Sequence, residues 1–206
     1  MTTFAPYHQY HDFLDCQEEQ ALLDYAIKNE SRFEGSTLAG GVTDETRRRS
    51  QRLTDLGRPG EQFEARIRAN AHDFFARAGT PPFEIEYVEL EMAAHGDGAH
   101  FAAHTDIPFG WGRSPLGGDK SGTQDRIISL VYYFYREPRG FDGGALWLHR
   151  FGSNSEPGDY VEIQPERNSL VVFPSWATHE VRPVNCPSKT FADYRFAVNC
   201  WLCRTL

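Results

Sequence analysis

No stretch of this 206-residue chain is apolar for long enough to cross a membrane as a helix. The longest apolar run, Ile127 to Tyr135 broken only by Ser129, falls far short of the roughly 20 residues such a span requires and reads as a buried strand. The amino terminus, Met1 to His8, has neither a basic start nor an apolar stretch of signal length, so a cytoplasmic address is expected. Cysteine is scarce. Cys16, Cys186, Cys200 and Cys203 are too few and too scattered for a disulfide scaffold. The Cys200 and Cys203 pair lacks both the second pair that a zinc site needs and the helix start that a redox motif needs. Positive charge is also short, with 21 Lys and Arg against 29 Asp and Glu for a net charge of -8. That balance argues against sequence-independent nucleic-acid binding, which depends on neutralising phosphates. The run Arg47-Arg48-Arg49 is the one basic exception and is expected to be a solvated face, with substrate contact as the second reading. No repeat or low-complexity segment occurs, and nothing here specifies an oligomeric state.

What remains is the composition of a globular protein, 40% hydrophobic, 14% aromatic and 24% charged, at a length that suits one domain over 1–206. Asp15 followed by Glu18 forms a capping box, which predicts a helix from Cys16 to Asn29 with Leu22, Leu23, Ala26 and Ile27 on one face. A second helix is expected from Glu61 to Ala78, striped by Phe63, Ile67, Phe74 and Phe75 and stopped at Gly79-Thr80-Pro81-Pro82. From Phe83 onward short β-branched and aromatic runs alternate with Gly, Pro, Asn and Asp. About eight are visible, near 84–93, 100–106, 126–135, 144–149, 159–163, 169–173, 179–184 and 194–203. The expected fold is mainly β, a jelly roll (83–206) supported by the amino-terminal helices of 1–82. The long segment Pro108 to Gln124 then becomes a loop at the barrel mouth.

Chemistry concentrates around His104-Thr105-Asp106. On a strand, residues i and i+2 face the same way, so the imidazole and the carboxylate converge. His179, after the turn Pro174 to Thr178, is the candidate third ligand. Two histidines and one carboxylate on one face of an octahedron leave three positions open, the arrangement of non-haem iron(II) oxygenases, although the same donors also suit zinc. His149 is a rival third ligand without the preceding Phe-Pro turn. His8, His11 and His72 read as ordinary hydrogen-bonded histidines, while His95 and His100 border the metal strand as pocket-lining candidates. In the last strand, alternation puts Phe196, Val198, Cys200 and Leu202 on one face and Arg195, Ala197, Asn199 and Trp201 on the other. A guanidinium on an inward face is costly unless paired, and its planar fork matches a carboxylate. Lys189, in the Cys186-Pro187-Ser188 loop, is the alternative cation. Trp111, Arg113, Trp147, Trp176 and Arg182 are left as aromatic and basic candidates for a substrate pocket or for plain packing.

In order along the chain, His104-Thr105-Asp106, the strand Ile127 to Tyr133, Gly143-Gly144-Ala145-Leu146, Asn168 to Phe173 leading to His179-Glu180-Val181-Arg182-Pro183-Val184, and Arg195 to Leu202 resemble the prolyl 4-hydroxylase-like group of 2-oxoglutarate oxygenases. The amino-terminal helix and Arg49-Ser50 resemble that family's helical support and first strands. The resemblance implies a double-stranded β-helix that binds iron(II) through His104, Asp106 and His179. It further implies 2-oxoglutarate as co-substrate, with its distal carboxylate held by Arg195 and assisted by Tyr132, dioxygen as oxidant, and ascorbate as a stimulant. The implied reaction hydroxylates an unactivated C–H bond of a prolyl, peptidyl or small amino-acid-like substrate and releases succinate and CO2. Asp106 favours hydroxylation over halogenation, for which related enzymes carry a small residue at this position. Trp201, where nucleic-acid demethylases of the group carry a second arginine, argues for a peptide or small-molecule partner. The competing readings are a non-catalytic cupin-like binding barrel with a structural metal and a zinc hydrolase.

Overall fold

The computed structural model describes residues 4–38, 41–107, 124–151 and 159–205. Helix α1 (Cys16–Lys28) begins where the capping box sets it: Asp15 Oδ1 accepts the backbone N–H groups of Gln17 and Glu18, and Glu18 returns the bond to the Asp15 N–H. Its end is drawn in to Asn29, whose side-chain amide donates to the Tyr25 carbonyl. Helix α2 (Gly57–Arg77) starts earlier than Glu61, because the Asp55 carboxylate caps the Gly57 N–H and Pro59 falls in the first turn, where a missing donor costs little. No described helix is long and apolar enough to cross a membrane.

The strands are β1 (His8–Tyr10), β2 (Glu34–Gly35), β3 (Arg48–Arg49), β4 (Gln51–Leu53), β5 (Tyr87–His95), β6 (His100–His104), β7 (Gln124–Phe134), β8 (Asp142–Gly143), β9 (Leu146–His149), β10 (Tyr160–Ile163), β11 (Ser169–Pro174), β12 (His179–Val181), β13 (Val184–Asn185) and β14 (Arg195–Thr205). Among the described residues they form a seven-stranded major sheet ordered β1-β11-β7-β14-β5-β4-β2, a five-stranded minor sheet ordered β10-β9-β12-β6-β3, and a small β13-β8 pair. This is the double-stranded β-helix, with the helices against the major sheet. All the expected strand runs are present with shifted ends. Strands β1 to β4, of two or three residues each, are too short to carry a readable period; of the expected first strands only Arg49-Ser50 falls near one.

The central strands of the major sheet are buried on both faces, and alternation sorts their side chains. Phe196, Val198, Cys200 and Leu202 join Leu22, Phe63, Ile67 and Phe74 in the core between sheet and helices. Ala197 points the other way, into the barrel, with Tyr133, Val171, Phe173, Leu146 and Leu148. Asn168 ties the amino-terminal segment to this sheet. It takes a left-handed backbone (φ 54), and its side-chain oxygen accepts from the Leu14 N–H and the Tyr132 hydroxyl, both at 2.9 Å. Its amide nitrogen donates to the Leu14 carbonyl at 2.9 Å. Replacing Asn168 with Ala therefore removes three bonds and leaves an alanine in a strained conformation, an expected loss of about 2–3 kcal/mol. Asn168→Gly should recover roughly 1 kcal/mol of that in denaturant titrations; equal losses for the two variants would count against the strain component.

Candidate active site

His104 closes β6 and His179 opens β12, and the two are direct register partners across the minor sheet. Asp106 is not on the strand. The expected run to 106 stops at His104 because the Asp106 N–H donates to the Ser175 carbonyl, so the turn before His179 holds the carboxylate in place. His104 Nε2 lies 3.7 Å from Asp106 Oδ1 and His179 Nε2 lies 3.6 Å from Asp106 Oδ2. The three ligating atoms fall within 4.8 Å of one another. Each imidazole is oriented from behind, His104 Nδ1 by the Ala102 carbonyl and His179 Nδ1 by the Ala177 carbonyl, both at 2.9 Å. A carbonyl can only accept, so Nδ1 carries the proton and Nε2 presents its lone pair to the centre. Ser129 donates to Asp106 Oδ2 at 2.6 Å and meets Ser175 at 2.9 Å.

The electrostatics suit a cation. Burial, reinforced by the neighbouring His179, pulls His104 down to about 3, so it stays neutral and able to ligate. Burial works to raise Asp106, but His179, His104 and the Ser129 hydroxyl outweigh it and hold the carboxyl below its ordinary range. Two imidazole Nε2 atoms and one carboxylate converge from one side, the donor set of a facial iron(II) site. Phe173 packs edge-on to His179 at 4.9 Å, and Phe101 stacks on His104 at 3.6 Å.

Arg195 opens β14 and is 1% exposed. Its NH1 lies 3.1 Å from His95 Nδ1, and its guanidinium carbon is 4.7 Å from the centre of the Tyr133 ring. Among the described residues, neither Arg195 Nε nor the Tyr133 hydroxyl meets a hydrogen-bond partner beyond each other, and no carboxylate forms an ion pair with Arg195. Gly144 (φ +71) closes in from the side: a Cβ there would come within 2.6 Å of Arg195 Cδ. A buried cation that meets no carboxylate among the described residues, next to a buried phenol, fits an incoming carboxylate.

Several expectations change. Tyr132, expected beside Arg195, faces the helices instead, donating to Asn168 and packing on Phe13 and Phe63. Its strand neighbour Tyr133 occupies the inner face. Lys189 is largely exposed near Asp97, 3.8 Å away. His149 stays out of the ligand cluster and lies 3.9 Å from Glu180, since its neighbour Leu148 is the residue paired with His179. His100 is tied to the Gly98 and Thr46 carbonyls. Trp147 stacks on Tyr160 with Arg182 over its other face, away from the ligands. Trp176 is 44% exposed beside the turn that holds Asp106. Trp111, Arg113 and the expected mouth loop up to residue 123 lie outside the described residues. Arg48, expected to be solvated with its neighbours, turns inward instead: it pairs with buried Glu91 at 2.5 Å and stacks over Phe101 at 4.8 Å. A basic run on a two-residue strand carries no period that could have shown this.

The family description "2OG-Fe(II) oxygenase superfamily" matches residues 90–203, the span holding every residue of this site. The chain belongs to the 2-oxoglutarate- and iron(II)-dependent oxygenase superfamily. An uncharacterized PKHD-type hydroxylase of Synechocystis sp. is 31% identical over 203 residues, 95% of this chain. The chain spans 62% of that relative's length. Among solved structures, a Pseudomonas putida prolyl-4-hydroxylase superposes with a TM-score of 0.69 at 21% identity, covering 97% of this chain and 94% of that one. A Trichoplax adhaerens prolyl hydroxylase, solved with a hypoxia inducible factor peptide fragment, gives 0.69 at 19% identity, covering 96% and 83%. These structures share the prolyl 4-hydroxylase-like fold.

Two outcomes are expected. Ser129→Ala frees one Asp106 oxygen and should weaken manganese(II) binding, measured by calorimetry, about 10- to 100-fold; unchanged affinity would mean that the hydroxyl does not orient the ligand. Between pH 6.5 and about 3 the unfolded chain binds protons that buried His104 refuses, and His95, held well below 6.5 chiefly by burial, acts in the same direction. The metal-free protein should thus lose stability as pH falls below about 6.5 in urea titrations.

Proposed function

We propose that this oxygenase hydroxylates an unactivated C–H bond of a prolyl, peptidyl or small amino-acid-like substrate, with release of succinate and CO2. The observation that carries the reading is Arg195, a fully buried guanidinium without a counter-ion among the described residues, in the same barrel as the His104, Asp106 and His179 cluster. Iron(II) and 2-oxoglutarate, when bound, supply oxidative decarboxylation coupled to the activation of dioxygen.

The chain's own residues bind and orient. His104, Asp106 and His179 hold the metal from one side and leave the opposite side for co-substrate and dioxygen. Arg195 takes the distal carboxylate in a charge-assisted pair, and the Tyr133 hydroxyl donates to the same group in the role expected of Tyr132. Apolar walls from Val171 and Ala197, with Phe173 beside His179 at the metal end, keep water from the pocket. Asp106 occupies the position a halide would need, which supports hydroxylation. The prolyl hydroxylases among the structural neighbours support a peptidyl or amino-acid-like acceptor, and the net charge of -8 speaks against nucleic acid. We take residues 1–206 as one domain working in the cytoplasm, where its four free thiols stay reduced, with ascorbate as a stimulating reductant.

Purified protein supplied with iron(II), ascorbate and 2-oxoglutarate should form succinate slowly without substrate. Candidate substrates that accelerate it should gain one oxygen by mass spectrometry. Arg195→Met should weaken 2-oxoglutarate binding by about 30-fold or more, as loss of one partner of a buried charge pair does. Absence of both turnover and 2-oxoglutarate binding would favour a non-catalytic barrel, and zinc recovered after anaerobic purification would favour a hydrolase.

A further inference from the structure

His95 belongs to no ligand set, yet it is 5% exposed and faces the interior of the barrel. It is the direct register partner of Arg195 between β5 and β14, two positions along from the inward-facing Ala93 and Ala197 pair. We propose that His95 is a positioning residue, whose Nδ1 accepts a hydrogen bond from Arg195 NH1 and aims the remaining donors of the guanidinium at the distal carboxylate of the co-substrate. The proposal rests on the reading of Arg195 as the 2-oxoglutarate anchor.

The chemistry follows from what each group can offer. Arginine has donors and no acceptor, so a partner at 3.1 Å must present a lone pair, and an imidazole does so at Nδ1 only when it is uncharged. Burial, with the adjacent Arg195 charge, holds His95 in that form. An aspartate or glutamate here would bind the guanidinium more tightly but would cancel its charge, and an entering dicarboxylate would then have to displace it. A neutral acceptor satisfies one donor and leaves the charge available. The other sides of the guanidinium are closed by the Tyr133 ring and by Gly144, so its orientation is set by His95 with packing from two walls. The Nε edge faces Gly144, and the guanidinium nitrogens lie in one plane, so the bond from Nη1 to His95 fixes the direction of the whole fork.

The test compares two ligands on the anaerobic iron(II)-loaded protein by calorimetry: 2-oxoglutarate, and 2-oxobutanoate, which lacks the distal carboxylate. His95→Leu keeps the volume and removes the acceptor. It should weaken 2-oxoglutarate about 10- to 100-fold, the range for a hydrogen bond to a charged group, and leave 2-oxobutanoate unchanged. His95→Asn, whose amide places an acceptor near the Nδ1 position, should restore 2-oxoglutarate to near the wild-type affinity, whereas His95→Gln, with its acceptor farther out, should not. His95→Asp, with the reach of Asn, should lose 2-oxoglutarate binding because its carboxylate neutralises the guanidinium. Equal loss of both ligands in His95→Leu, or wild-type affinity for 2-oxoglutarate there, overturns the positioning role. If His95→Leu does not fold, the Asn and Gln variants decide, and identical behaviour of the two overturns it. A wild-type protein that binds the two ligands equally would instead remove the Arg195 reading on which the proposal stands.

Discussion

A positive charge sealed in a barrel with no counter-ion among the described residues is expensive, and the arrangement around Arg195 follows from that expense. Moving a guanidinium out of water costs several kcal/mol even after relaxation. Burial also works on the group itself, lowering its hold on the proton. The cost is offset by the two cores on either side of the major sheet, where Phe196 and Val198 from the same strand pack against the helices while Ala197 leaves room inside. A small residue next to the arginine, a glycine at 144 and a neutral acceptor at 95 all serve one end: the charge is held still and remains unneutralised.

The metal cluster solves a different problem, bringing three ligating atoms within 4.8 Å although they come from two distant segments of chain. Register does most of it, since His104 and His179 face each other across paired strands. The carboxylate is placed by a loop contact, its N–H on the Ser175 carbonyl and its Oδ2 on the Ser129 hydroxyl. The turn carrying Ser175 also leads into His179, so two ligands share one support. Ser129 sits on the inner face of β7 in line with Val131 and Tyr133, which ties the metal end of the pocket to the Arg195 end through a single strand.

Legibility in the sequence tracked the length of the pattern. The long strand Arg195 to Leu202 displayed its two faces plainly, and the structure divides the side chains in the same way. Tyr132 and Tyr133 show the limit. Both are fully buried, in a run apolar on both sides, so alternation had no polar face to anchor it, and a shift of one residue exchanges the two faces. His95 gave a weaker signal still, as a histidine at a strand end beside glycine, and only the pairing of β5 with β14 joins it to Arg195.

The sequence by itself determined the start of α1, through the capping box at Asp15 and Glu18, the count and order of the long strands, and the residue types able to hold a metal and an anion. These depend on neighbours a few positions apart, which a linear pattern contains. Which tyrosine faces the pocket, how Asp106 reaches the two imidazoles, why Arg48 turns inward and what steadies Arg195 were decided only by the tertiary structure. Each depends on strand register and on hydrogen bonds between residues far apart in the chain, such as Ser129 with Asp106 and His95 with Arg195, and no local periodicity encodes those pairings.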